Sequence, residues 1–148
     1  MHRIVLALIT IALPLFGSCA STGGTHDVTD ASVRPVTYLL TLEVKDGQLE
    51  EFKSVMEELV ASTRGEQGTL VYEWYLSEDE TTVQILERFE DTAAYLTHGD
   101  GFAPFAERFL ATVDIQSFRV FGDPDDGARE RLSGLGPTYM GGIGGFRR

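Results

Sequence analysis

The side chains that could do chemistry are few. The 148-residue chain holds three histidines, His2, His26 and His98, and one cysteine, Cys19. His2 sits in an N-terminal apolar leader and His26 in a polar stretch, so His98 is the histidine of the folded part. One imidazole and no cysteine in the folded part cannot build a zinc site of nitrogen and sulfur ligands, and no metal is expected. The acidic residues fall mostly on helix faces and turns, where solvation accounts for them. No Gly-x-Ser-x-Gly turn presents a nucleophilic serine. The glycines near the C-terminus neither follow a strand nor open a helix, so they form no dinucleotide loop, and no cofactor is expected. What remains is His98 as an acid–base group, with Tyr72, Trp74, Phe89 and Tyr95 as the aromatic side chains closest to it in pattern.

Cys19 has a different chemistry. Met1-His2-Arg3 followed by the apolar run from Ile4 to Phe16 has the layout of an export signal. The run is too short for a membrane span of roughly 20 residues, and Pro14 would interrupt one. Leu15-Phe16-Gly17-Ser18-Cys19 resembles a lipobox, with Phe16 where leucine is commoner. Residues 1–18 are therefore expected to be a lipoprotein signal peptide, and Cys19 the lipidated residue. Ala20 after it resembles the pattern of Gram-negative lipoproteins sent to the outer membrane, facing the periplasm. As the sole cysteine, Cys19 leaves no internal disulfide. Residues 19–35, rich in Ser, Thr, Gly and Asp, read as a flexible tether closed by Pro35.

The elements that must position His98 follow from periodicity. Val36 to Val44 alternates, with Tyr38, Leu40, Leu42 and Val44 on one face: a strand. After the turn Lys45-Asp46-Gly47, residues Leu49, Phe52, Met56, Leu59, Val60 and Thr63 repeat at helical spacing, ended by Gly65 and Gly68. Thr69 to Leu76 is a second strand with Leu70, Tyr72, Trp74 and Leu76 together. Thr81 to Phe89 is a third, with Val83, Ile85 and Phe89 inward. Asp91 caps a helix carrying Ala94, Tyr95 and His98 on one face, which Gly99-Asp100-Gly101 should break, leaving a loose end through which a ligand could enter. Pro104 starts a short helix to Ala111, and Asp114 to Phe121 is the fourth strand. The order β-α-β-β-α-β is the ferredoxin-like α+β arrangement, over residues 36–122. Residues 123–148 should form an extension that packs on the domain, because Leu132, Leu135, Tyr139, Met140, Ile143 and Phe146 are too apolar for a free tail.

Three segments together resemble the antibiotic biosynthesis monooxygenase family. They are Gly47 with Glu50-Glu51-Phe52, the run Gly68-Thr69-Leu70-Val71-Tyr72-Glu73-Trp74, and Glu87-Arg88-Phe89-Glu90-Asp91 with Ala93, Ala94 and His98. The resemblance covers Val36 to Phe121. It implies a dimeric α+β barrel, two sheets face to face, with a small apolar pocket between sheet and helices in each subunit. Some members oxidise phenols or quinols with molecular oxygen and no cofactor, others degrade haem, and many have no established activity. Two departures stand out. Many members carry a second histidine in a Pro-His-Phe context, where this chain has Gly101-Phe102-Ala103-Pro104-Phe105. The haem-degrading members use an Asn, and this chain has none.

Two functions follow. The first is a cofactor-independent monooxygenase acting on a small phenolic or quinol-like molecule at the cell envelope, with His98 as base and Tyr72, Trp74, Phe89 and Tyr95 as walls. The second is a non-catalytic, lipid-anchored dimeric module that binds a small apolar ligand. Leu39, Val71 and Tyr75 put apolar groups on the opposite sheet face as well, which calls for a second copy. The membrane is expected as a partner only through the lipid. The net charge of −11 repels phosphate backbones and excludes nucleic acid as a partner.

Overall fold

The computed structural model describes residues 35–145. The expected signal peptide, Cys19, the tether up to residue 34 and Phe146 lie outside the described residues. Nine residues of alternating pattern form β1 (Val36–Val44), with Val36, Tyr38 and Leu42 buried. Then come α1 (Leu49–Thr63), β2 (Thr69–Leu76), β3 (Thr82–Phe89), α2 (Thr92–Phe102), α3 (Ala106–Thr112) and β4 (Val113–Phe121). With a short C-terminal strand β5 (Thr138–Met140), the strand order is β2-β3-β1-β4-β5, antiparallel across the first four, which is the ferredoxin-like α+β fold. α1 buries Phe52, Val55, Leu59 and Thr63, so Val55 belongs to the inner stripe and Met56 and Val60 flank it.

Register decides which side chains meet on the sheet. Tyr38 on β1 stands opposite Glu87 on β3, and Glu87 stands opposite Tyr72 on β2. Two residues along, Leu40 pairs with Ile85 and Ile85 with Trp74. Side chains two apart on a strand share a face. These two rows therefore form one patch of the sheet surface beneath the helices.

Three expectations need correction. First, Gly99-Asp100-Gly101 does not break α2, which runs through them to Phe102. The missing side chains leave room for neighbours: a Cβ at Gly101 would lie 3.0 Å from Glu66 Oε1, and one at Gly99 would lie 3.5 Å from the Arg131 guanidinium. Packing thus offsets the backbone entropy that glycine costs a helix. Second, Leu70 and Leu76 do not join Tyr72 and Trp74 under cover; they are 52% and 40% exposed. β2 is an edge strand, and Leu70 sits at a bulge between Thr69 and Val71 where it has no partner in register. Third, the C-terminal extension, to which the sequence pattern assigns no strand, contains one. After α4 (Asp126–Leu132), capped by the Asp125 side chain, a single 3₁₀ turn Ser133–Leu135 leads to β5 (Thr138–Met140). β5 pairs parallel with β4, Val120 opposite Tyr139, and Arg129 stacks 4.2 Å from the Tyr139 ring.

Candidate functional site

Between the sheet and the helices lies a cavity of about 120 Å³. The two sheet rows make its floor: Tyr38, Glu87 and Tyr72, then Leu40, Ile85 and Trp74. Tyr95, His98 and Phe102, spaced three and four apart on α2, cover it from one side, and Phe109 of α3 closes another. Leu132 and Leu135 from the C-terminal segment complete the rim.

His98 is held from several directions. It is 6% exposed, and its ring lies 5.2 Å from Tyr72 and 5.1 Å from Phe89, centroid to centroid. Glu66, in the turn after α1, comes within 2.9 Å of Nδ1 through Oε2. When Glu66 accepts this bond, Nδ1 is the donor and Nε2 is the nitrogen left facing inward. There it meets Glu87 Oε2 at 3.5 Å. Burial pushes the Glu87 carboxyl up to about 7; the nearby imidazole opposes that and Glu66 adds to it. Glu66 is itself fixed by the Thr69 hydroxyl, which donates to it at 2.6 Å. Glu66, His98 and Glu87 thus form a line along which a proton can be held near an apolar space. They are strung through the imidazole and do not surround a point; among the described residues no three His, Cys, Asp or Glu side chains group as a metal site.

α2 is placed by small residues and a cap. Asp91 accepts from the Ala94 backbone N–H at 2.9 Å, fixing the first turn. A Cβ at Gly68 would overlap that of Ala94, so glycine there lets the start of β2 and the helix meet. The sequence marks Gly68 as a helix stop; its structural use is this close approach.

Of the residues expected at a site, His98, Tyr72, Trp74 and Tyr95 all line the cavity. Phe89 does not. It is fully buried behind them, against Tyr38, Tyr95 and His98, and supports the wall from within. Three residues at the site escape the sequence pattern. Glu87 shares the inward parity of Val83, Ile85 and Phe89, a signal masked by its charge. Glu66 lies in a turn, where no periodicity places it, 32 residues from its histidine. Tyr38 reads as ordinary core.

Both floor tyrosines are held firmly un-ionised, first by burial and next by neighbouring charge or hydroxyl, and Tyr95 is pushed up to about 12, again by burial. Tyr38 Oη and Trp74 Nε1 are buried and meet hydrogen-bond geometry with no group among the described residues. Of the two, Trp74 is the weaker case, because the Tyr72 hydroxyl is close enough to interact with it and with Thr63.

Solved structures share this fold. MupZ from Pseudomonas fluorescens is 22% identical, with 78% of this chain and 95% of that one superposed at a TM-score of 0.70. A putative antibiotic biosynthesis monooxygenase from Caulobacter crescentus is 25% identical, covering 60% and 87% at a TM-score of 0.53. SnoaB, a cofactor-independent oxygenase from Streptomyces nogalater, is 20% identical, covering 62% and 95% at 0.53. No curated protein matches the sequence. The sequence model of one family, antibiotic biosynthesis monooxygenase, matches residues 35–112, from the start of β1 through α3. The chain belongs to the antibiotic biosynthesis monooxygenase family.

Proposed function

We propose that this protein is a cofactor-independent monooxygenase acting on a small phenolic or quinol-like molecule. The observation that carries the reading is the buried line Glu66–His98–Glu87 at the edge of an aromatic cavity. Such oxygenation needs a base that removes a hydroxyl proton and a dry space that keeps the resulting anion reactive towards oxygen. His98 Nε2 takes the proton, Glu66 orients the ring and steadies the imidazolium, and Glu87 shares the proton on the far side. A quinol then gains one oxygen atom and loses two hydrogens, and the second oxygen atom leaves as water. Family membership supports this reading, and SnoaB supplies a cofactor-independent oxygenase of the same fold. The test is oxygen consumption by the purified protein with a panel of quinols and single-ring phenols. Consumption that falls at least tenfold in His98→Gln is expected; none with any compound leaves the non-catalytic binding module.

Two further parts of this reading concern its setting. Lipidation at Cys19 would hold the domain at the outer membrane facing the periplasm, and Cys19→Ser should abolish fatty-acid labelling. A homodimer would form through the sheet face opposite the helices. Both apolar clusters lie on the helix side, yet that opposite face carries half-buried Leu39, Val71 and Leu86 and a 54% exposed Tyr75. Light scattering at micromolar concentration should give twice the chain mass, and a monomer there would sink the dimer.

A further inference from the structure

The least explained group in the cavity is the hydroxyl of Tyr38. Its ring is wedged among Phe89, Tyr95 and Phe118 at centroid distances of 5.4, 5.0 and 5.4 Å, so the hydroxyl has one place to be. The residue is 2% exposed, lines the cavity, and its Oη has no hydrogen-bond partner among the described residues. Phenylalanine would fill the same space without leaving a buried donor unmet. The next strand places the Glu87 carboxyl opposite it on the same face. A donor and an acceptor paired across neighbouring strands on the floor of a largely apolar cavity are complementary to one O–H group. The ligand oxygen accepts from Tyr38, and its hydrogen points to Glu87, which borders His98 Nε2.

We propose that Tyr38 and Glu87 are a hydroxyl-docking pair, and that the cavity takes an uncharged single-ring arenol by its hydroxyl in preference to carboxylate-bearing or fused-ring compounds. Burial keeps the Tyr38 phenol un-ionised, so it remains a donor. Among the described residues no lysine or arginine lines the cavity, and its one imidazole, His98, is flanked by Glu66 and Glu87, so an anionic ligand finds no fixed positive charge there. The volume of about 120 Å³ suits one ring; an apolar cavity of ~150 Å³ holds a benzene. A second fused ring would have to lie across Leu132 and Leu135 at the rim. The proposal rests on the reading that this cavity is the ligand site, and it does not require that the ligand be oxidised.

The experiment is calorimetric titration of the purified full chain, without oxygen, with phenol, toluene, 4-hydroxybenzoate and 1-naphthol. Phenol should bind at least tenfold tighter than toluene, with 4-hydroxybenzoate and 1-naphthol weaker than phenol. Tyr38→Phe should erase the preference of phenol over toluene while leaving toluene binding and the thermal midpoint near wild type. Equal binding of phenol and toluene, no phenol binding at millimolar concentration, or an unchanged preference in Tyr38→Phe overturns the proposal. So does 4-hydroxybenzoate or 1-naphthol binding as tightly as phenol. Because oxygen is absent, the binding pattern and the oxygenase reading can fail separately.

Discussion

The two apolar clusters on the helix side of the sheet are built from different materials. Beneath α1 and α3 lie Leu42, Phe52, Val55, Leu59, Val83, Ile85, Phe109 and Val113, none with a side-chain polar atom. Beneath α2 and α4, the cluster includes Tyr38 and Tyr95 and borders buried Glu87 and His98. The cavity opens along the seam, taking Ile85 and Phe109 from the first cluster and Tyr38, Tyr95 and Leu132 from the second. At one end of the sheet the buried groups can only pack, with Tyr72 and Trp74 at the border. The other is walled by groups that can donate, accept and hold a proton, and it is not filled. Stability should therefore depend most on the first end and ligand chemistry on the second.

The largest expected effect breaks the packed end. Leu59 is 1% exposed, and Leu59→Ala should cost about 2–5 kcal/mol, the usual range for a buried leucine. Tyr38→Phe, equally buried at the other end, should change stability by less than about 1 kcal/mol, because it keeps the ring and removes a hydroxyl with no partner among the described residues. Urea denaturation of both variants checks the contrast. Equal losses would mean the two ends are not specialised in this way.

Next comes the junction that hangs α2 over the cavity. Gly68→Ala would force its methyl into Ala94 and should cost about 1–3 kcal/mol as overpacking. Ala94→Gly costs about 1 kcal/mol alone as a helix glycine, yet combined with Gly68→Ala it should recover part of the loss. A double variant no more stable than Gly68→Ala alone would remove Gly68 as the spacer.

Legibility in the chain divides along the same line. The strands, α1 and the placement of His98 beside Tyr95 come from periods of two and 3.6 residues, which apolar patterning records directly. Glu87 obeys the period but breaks the polarity rule, and a buried acid is legible only when its partner is known. That partner, His98, is itself braced by Glu66, a contact between a turn and a helix that no local pattern encodes. The glycines of α2 mislead for the same reason: propensity marks them as breakers, while Glu66 and Arg131, distant in sequence, occupy the space they leave. β5 depends on parallel pairing with β4 and is three residues long, too short for alternation to show.

The Glu87 carboxyl gives a sharper test through pH. Its folded-state value is raised from 4.5 to about 7. The folded protein therefore binds this proton more tightly than the unfolded chain does. The associated stability is fully present below about pH 4.5 and is lost as pH rises through about 7. Glu87→Gln carries no titrating proton there. The thermal midpoint of the wild type relative to Glu87→Gln should fall between pH 5 and pH 8. A difference that stays flat over that range would show that Glu87 is not a strained buried acid.

The smallest expected effect on stability concerns the rim. Leu135 lies in the 3₁₀ turn after α4 and is 49% exposed, yet it lines the cavity. The turn ends at Gly136 in a left-handed conformation, φ 61°, which favours glycine. It follows α4, which Arg131 ties to Asp100 of α2. This wall lies outside residues 35–112, so the part of the chain that bounds the mouth is not the part that matches the family. Leu135→Ala should shift stability by no more than about 0.5 kcal/mol, as for other half-exposed positions. It should nevertheless widen the mouth and raise the affinity for 1-naphthol relative to phenol by several-fold in the titration without oxygen. If that ratio does not move, Leu135 only covers the cavity edge and the size limit is set deeper, by the sheet floor and α2.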